Sequence, residues 1–532
     1  MATQPVFTLP SSLPAWPTGG GFAGGVINLG GGLLVAQASS FTKIWATREG
    51  GSGNSGATFY APAAVPDGFF VLGHYGQPNN RKLDGWVLVA KEEKENGGVL
   101  AKPADFSLAW SSASSGVKQD GDGYVWYPIP PDGYSAVGCV VSTSSGKPSL
   151  DAVRCVRIDL TDRCESDALL WSFGKATDKN AVTITSLRPA IRGTEAIGVP
   201  VGTFGVSSSK ISCLKNTNPL LTYMPNLEQI TAVYNEYSPV IYFHPDEKYL
   251  PSSVSWYFSK GVLLYKKGNE SNPEKVTSTG SNLPGGGPSD DAYWIDISGD
   301  QPTKETAKKG DLQTSEVYVH VKPMFGGTFT DLATWLFYPF NGPARAKVGV
   351  LTIPLGKIGE HAGDWEHATL RVSNFDGSLR RVYCSQHSGG KWYEPSELEF
   401  AGGSNKPVLY SSLNGHAMYA KAGLVLQGTT EIGMRNDTAK SEKVLDSGGR
   451  FKVMAAEYVP EVVALPWAFY FRAWGPKVTY DVDSEIKNAE KLLVGGIRTS
   501  FEKFVKSLPK ELLGEESPTG PIAKRSWTGD EV

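Results

Sequence analysis

Pro66-Asp67-Gly68-Phe69-Phe70-Val71-Leu72-Gly73 returns 65 residues later as Pro131-Asp132-Gly133-Tyr134-Ser135-Ala136-Val137-Gly138. Each copy follows an aromatic stretch closed by proline, Phe59-Tyr60-Ala61-Pro62 and Trp126-Tyr127-Pro128. In both, a Pro-Asp-Gly turn feeds a short apolar strand that ends on a glycine, the residue that lets backbone bend or approach closely. A weaker third echo, Gly193-Thr194-Glu195-Ala196-Ile197-Gly198, closes 60 residues after the second. Three such units predict a pseudo-threefold set of small antiparallel sheets, a β-prism, over residues 1–215.

Working outward, residues 216–236 are polar and proline-containing at first and then suit a short helix from Leu227 to Tyr234, so they read as a linker. Residues 237–480 form a second β-rich region. Within it Asp364-Trp365-Glu366-His367-Ala368-Thr369-Leu370-Arg371-Val372 alternates. Trp365, His367, Thr369 and Arg371 take one face and Glu366, Ala368, Leu370 and Val372 the other, the period of a strand. Residues 381–387 and 407–413 are expected as its neighbours, giving a β-sandwich. In residues 481–532 the period changes: Ile486, Ala489, Leu493, Ile497, Phe501, Phe504 and Leu508 recur at helical spacing. Asp483 or Ser484 is the expected cap, Gly495-Gly496 a break, and Pro509 the end. The fold class is mainly β, with a C-terminal helical segment.

Composition narrows the function. Lys+Arg 51 against Asp+Glu 54 gives a net charge of -3, which excludes the basic stripe of a nucleic-acid binder. No run of about 18 apolar residues is present, so no transmembrane helix is expected. Residues 1–20 lack a basic and then apolar signal pattern, so a cytoplasmic chain, or one peripheral to membranes, is expected. Five scattered cysteines without CxxC spacing argue against a disulfide framework and for a reducing compartment.

Six of the seven histidines fall between His244 and His416. His361 and His367 flank Asp364 and Glu366, while His387 and His416 lie in short polar stretches; His244-Pro245-Asp246-Glu247 adds another pair. Gathered at one sheet end, His361, Asp364, Glu366, His367, His387 and His416 would bind zinc or manganese or supply an acid–base pair. Their spacing matches no HExxH motif, and a buried polar network that fixes the fold is the other reading. No GxSxG elbow or Walker loop occurs. Gly51-Ser52-Gly53-Asn54-Ser55-Gly56 matches GxGxxG as a string, but the proline-ended aromatic stretch after it opens no helix. No cofactor is expected beyond a divalent metal at that cluster. Trp392, Tyr393, Trp256 and Tyr257 are candidate ligand-stacking rings.

Tyr237-Ser238-Pro239-Val240-Ile241-Tyr242-Phe243-His244-Pro245-Asp246-Glu247, residues 359–371, Ser385-Gln386-His387 and Gly415-His416-Ala417-Met418-Tyr419 carry a family resemblance. So do Pro518-Thr519-Gly520-Pro521 and Trp527-Thr528-Gly529-Asp530. With Pro66-Asp67-Gly68-Phe69, these segments resemble the plant branch of the vacuolar protein sorting-associated protein sixty-two family, nearly end to end. The family name implies trafficking and supplies no catalytic residues. A prism paired with a sandwich is also similar to the receptor-binding domains of three-domain insecticidal toxins, and the prism resembles plant lectins. Those resemblances imply a non-enzymatic recognition protein of plant defence that binds a glycan or membrane receptor, with insecticidal action in view. A metal-dependent hydrolase built on residues 361–416 and an intracellular trafficking factor are the alternatives.

Overall fold

The computed structural model describes residues 3, 4, 6–175, 177–207, 209–297, 300–387, 389–477, 480–491, 493, 496–508, 518–524 and 528–531. The protein is mainly β. Its N-terminal sheets are organised by three strands, Ser40–Ala46, Asp105–Ser111 and Thr161–Phe173. Each pairs antiparallel with the next long strand, and each ladder slips just before a tryptophan: between Lys43 and Trp45, Leu108 and Trp110, and Leu169 and Trp171. A bulge bends its strand and re-aims the side chain that follows. Here the three bulges send three indoles to one point, with centroids 6.0, 5.9 and 5.3 Å apart.

The repeated turns lie where the sequence puts them. Pro66, Pro131 and Gly193 carbonyls accept from Phe69, Tyr134 and Ala196 N–H at 3.0, 3.1 and 3.1 Å. Gly68 and Gly133 have φ of 78° and 82°, which only glycine adopts freely. The closing position of the third unit is a correction: it is Thr203, 65 residues after Gly138, and not Gly198. His74 N–H bonds Cys139 O at 2.9 Å and Cys139 N–H bonds Phe204 O at 3.3 Å. A Cβ on Gly73 would lie 2.8 Å from Gly138 Cα, and one on Gly138 2.8 Å from Thr203 Cβ. Gly138→Val therefore overpacks this axis, and urea unfolding is expected to show a loss of about 1–3 kcal/mol. A loss within error would mean that the three units do not meet as tightly as described.

Cys164 and Cys213 form a disulfide between neighbouring strands, with Cα atoms 5.3 Å apart. This corrects the reading of five unpaired cysteines. The partners are 49 residues apart and become neighbours only when the third unit folds, so local spacing carries no sign of them. Cys139, Cys155 and Cys384 are free and buried.

A capping box of Asn226 and Gln229 opens the helix Leu227–Tyr237, which runs three residues further than expected. The second region is built on a six-stranded sheet in the order Gly389–Tyr393, Leu379–Gln386, His361–Ser373, Phe329–Asn341, Val317–Met324 and Phe451–Ala455. Leu379–Gln386 neighbours the His361–Ser373 strand, as the sequence predicts. The second expected neighbour is a correction: Pro407–Ser411 lies in the facing sheet, parallel to Val240–Phe243, because Phe329–Asn341 takes the adjacent place. Ala368, Leu370 and Val372 point into the core between the two sheets, packed with Ile241, Leu336 and Leu409. Trp365 points the other way, into a second core with Phe337, Trp467 and Trp474. Both faces are covered, which is why the strand stays buried along most of its length.

The C-terminal pattern resolves into two helices, Val482–Glu490 and Gly496–Lys506. The cap is Asp481, whose carboxylate accepts from Asp483 and Ser484 N–H. Ile486, Ala489, Leu493 and Phe501 bury against a small sheet through Ala346, Ile353 and Met434. Gly495, Pro509 and Trp527 lie outside the described residues.

Candidate functional site

Strand alternation divides the histidine cluster. Asp364 and Glu366 face the interior between the sheets, and His367 faces away from it. Its ring lies against Trp335 at 4.4 Å and Tyr383 at 5.7 Å, and burial holds it well below the ordinary histidine range. His387 Nε2 donates to Asn436 Oδ1 at 2.8 Å. His361, near the rim, donates from Nδ1 to its own turn at Gly363 O, 3.1 Å away, and burial lowers its pKa.

The tightest part of the cluster is a buried row of Glu247, His416 and Asp364. His416 is 0% exposed and has φ +56°, held in the left-handed region by a tight turn between strands. Its Nδ1 donates to Asp364 Oδ2 at 3.1 Å, its Nε2 lies 3.8 Å from Glu247 Oε2, and its ring stacks on Tyr338 at 3.9 Å. Burial works against the imidazolium, but the hydrogen bond to Asp364 and the nearby Glu247 carboxylate win and push its pKa up to about 9. Burial likewise would raise Glu247, yet His416 and backbone N–H donors from Tyr249 and Asn414 take it below its ordinary value. Glu366, beside them, is raised to about 8 by burial and then by the Asp364 charge, against donation from Ser385. The row is therefore one imidazolium held between two carboxylates and sealed from solvent. A catalytic base has to be reached by its substrate, and His416 is not. Among the described residues no group of three His, Cys, Asp or Glu side chains is placed to hold a metal ion.

A different feature lies between the prism and the sandwich. A cleft of about 330 Å³ is lined by Arg81, Asp84, Trp86 and Arg188 on one side and Phe325, Arg371, Arg381, Trp392 and Glu394 on the other. Trp392 lies over the Arg371 guanidinium at 4.3 Å, and Phe325 lies 4.6 Å from the same group. Arg371 donates twice to Asp331 at 2.8 Å and once to Asp530 at 2.8 Å. Asp530 also meets Arg188 of the prism at 3.4 Å, so the chain's last turn ties the two regions behind the cleft. Glu394 joins Arg81 at 3.2 Å and Arg381 at 2.9 Å.

Of the four candidate stacking rings, Trp392 lines this cleft. Tyr393 packs against the sandwich core. Trp256 is half-buried beside Lys260, 4.5 Å from its ring. Tyr257 is fully buried, 4.9 Å from Phe337, and is a core residue. The cleft residues Arg81, Trp86 and Arg188 carry no local motif. For Arg371 a signal existed, since a charged residue on an otherwise buried strand needs partners.

A three-unit prism joined to a two-sheet sandwich, with charge networks sealed inside and a cleft between the two parts, defines a two-part β-rich protein. The chain matches the vacuolar protein sorting-associated protein 62 family over residues 3–531 and belongs to it. It is similar to vacuolar protein sorting-associated protein TDA6 of Saccharomyces cerevisiae, 24% identical across 37% of this chain and 47% of that one. It is also similar to the yeast vacuolar protein sorting-associated protein 62, 30% identical across 18% of this chain and 22% of that one. The matched part is thus less than half the length of either relative. Among solved structures, GNIP1Aa from Chromobacterium piscinae is 23% identical with a TM-score of 0.29, covering 35% of this chain and 37% of that one. NLPPya in complex with glucosamine is 14% identical with a TM-score of 0.20, covering 41% and 75%. Among the described residues no helix is long and apolar enough to cross a membrane.

Proposed function

We propose that this chain is a non-enzymatic recognition protein that takes a glycan in the cleft between prism and sandwich. The carrying observation is the cleft's lining. Sugar rings present apolar C–H faces to aromatic rings, and every hydroxyl both donates and accepts. Trp392 and Trp86 supply the faces, Arg81 and Arg381 the donors, Asp84 and Glu394 the acceptors. The volume of about 330 Å³ lies at the lower end of small-ligand pockets, which suits one or two sugar units. The sealed histidine row gives a hydrolase little to work with. A receptor-binding role in plant defence, insecticidal action included, is the setting that fits this reading; a trafficking role rests on the family name.

A glycan array probed with the intact chain and with Trp392→Ala tests it. The wild type is expected to retain a discrete set of glycans, and the variant to bind them at least about tenfold more weakly, about 1.4 kcal/mol. An array on which the wild type binds nothing removes the reading.

A further inference from the structure

The sheet beneath the C-terminal helices has the order Leu351–Pro354, Arg345–Val348, Ile432–Thr438 and Gly423–Gly428. One of its faces is covered by the helices. Its two edges differ. The Leu351–Pro354 edge is four residues long and ends on proline, which has no N–H to donate to a further strand. Among the described residues the other edge has no such protection. Gly423-Leu424-Val425-Leu426-Gln427-Gly428-Thr429-Thr430 contains no charge and no proline. Its register with Ile432–Thr438 runs through six consecutive pairs without a bulge. Leu424 is 43% and Val425 39% exposed. Monomeric proteins blunt open edges with lysine, proline, bulges or a covering segment. Among the described residues, Ile432–Thr438 is the one strand hydrogen-bonded to this edge.

We propose that Gly423–Gly428 pairs antiparallel with the same strand of a second copy, joining two four-stranded sheets across a twofold axis. A second copy fits because the segment is its own complement: Leu424, Val425 and Leu426 meet aliphatic counterparts, with no charge on either side to be desolvated. Such an isologous contact uses the open edge of both copies at once. Pro354 at the far edge opposes further addition, so the assembly closes at two copies and does not run on as a filament.

Sedimentation velocity of the intact chain over a wide dilution series tests this. The wild type is expected to move from 57.2 kDa to twice that mass as concentration rises. Leu424→Lys, at an exposed position, is expected to stay at 57.2 kDa with an unchanged melting midpoint. Hydrogen exchange of the wild type is expected to slow at residues 423–428 with concentration. A wild type that stays monomeric throughout overturns the proposal, as does a Leu424→Lys dimer. A monomer whose edge gains protection only on adding an extended peptide would assign the strand to a peptide and likewise overturn it.

Discussion

Arg371→Leu is expected to lower the unfolding free energy by about 3–5 kcal/mol, the loss typical of removing one partner from a buried ion cluster. Arg371 is 3% exposed, and Asp331 and Asp530 are 2% and 5% exposed. Without the guanidinium, two carboxylates face each other away from water, and Trp392 and Phe325 lose the planar group between them. Burial already pushes the Asp331 carboxyl up despite the pull of Arg371, and the variant pushes it further. A carboxyl raised in the folded state stabilises in its protonated form, so the deficit shrinks as pH falls through the folded value. Urea unfolding at pH 7 and pH 5 checks both parts. Arg371→Leu combined with Asp331→Leu should recover a large share, since apolar replacement of a whole buried pair is often neutral. A loss below about 1 kcal/mol would be ordinary for a surface pair and would contradict the tie between prism and sandwich.

His416→Gln is expected to cost a similar amount, about 3–5 kcal/mol, because Glu247 and Asp364 then share a buried site without the imidazolium between them. The pH dependence distinguishes this from a simple packing defect. His416 at about 9 and Glu366 at about 8 both hold protons in the folded state above their ordinary values of 6.5 and 4.5. Their stabilisation is complete below those ordinary values and is lost as pH rises through about 8 and 9. His74, lowered to about 4 by burial, and His367, also lowered by burial, act oppositely. They are neutral in the fold and cost stability as pH falls below 6.5. The wild-type melting midpoint should therefore peak near neutral to slightly acid pH and fall on both sides. In His416→Gln the alkaline fall should become shallower, keeping the part carried by Glu366, while the acid fall remains. An unchanged alkaline limb would mean that His416 does not carry the proton.

What the sequence shows of this fold depends on how far apart the deciding residues are. The Pro-Asp-Gly turns and the alternation around Thr369 are local, and both give the observed structure directly. The third prism unit is legible only in outline, because its turn comes early and Thr203 stands where the first two copies have glycine. The placement of residues 407–411 is not legible, since a parallel pairing with Val240–Phe243 across more than 160 residues leaves no local mark. At the site, alternation alone already separates His367 from Asp364 and Glu366. The His416–Glu247 pairing needs a turn from one sheet to meet the start of another, and the cleft needs the prism and sandwich to meet. Neither is a property of any short segment. The Cys164–Cys213 bond is invisible for the same reason.

Calorimetric titration of one array-selected glycan into the wild type, Trp392→Ala and His361→Ala separates the cleft from the histidine cluster most directly. Trp392→Ala is expected to weaken binding at least about tenfold while His361→Ala binds as the wild type does. Full affinity in Trp392→Ala with loss in His361→Ala would contradict it and move the site to the histidine cluster.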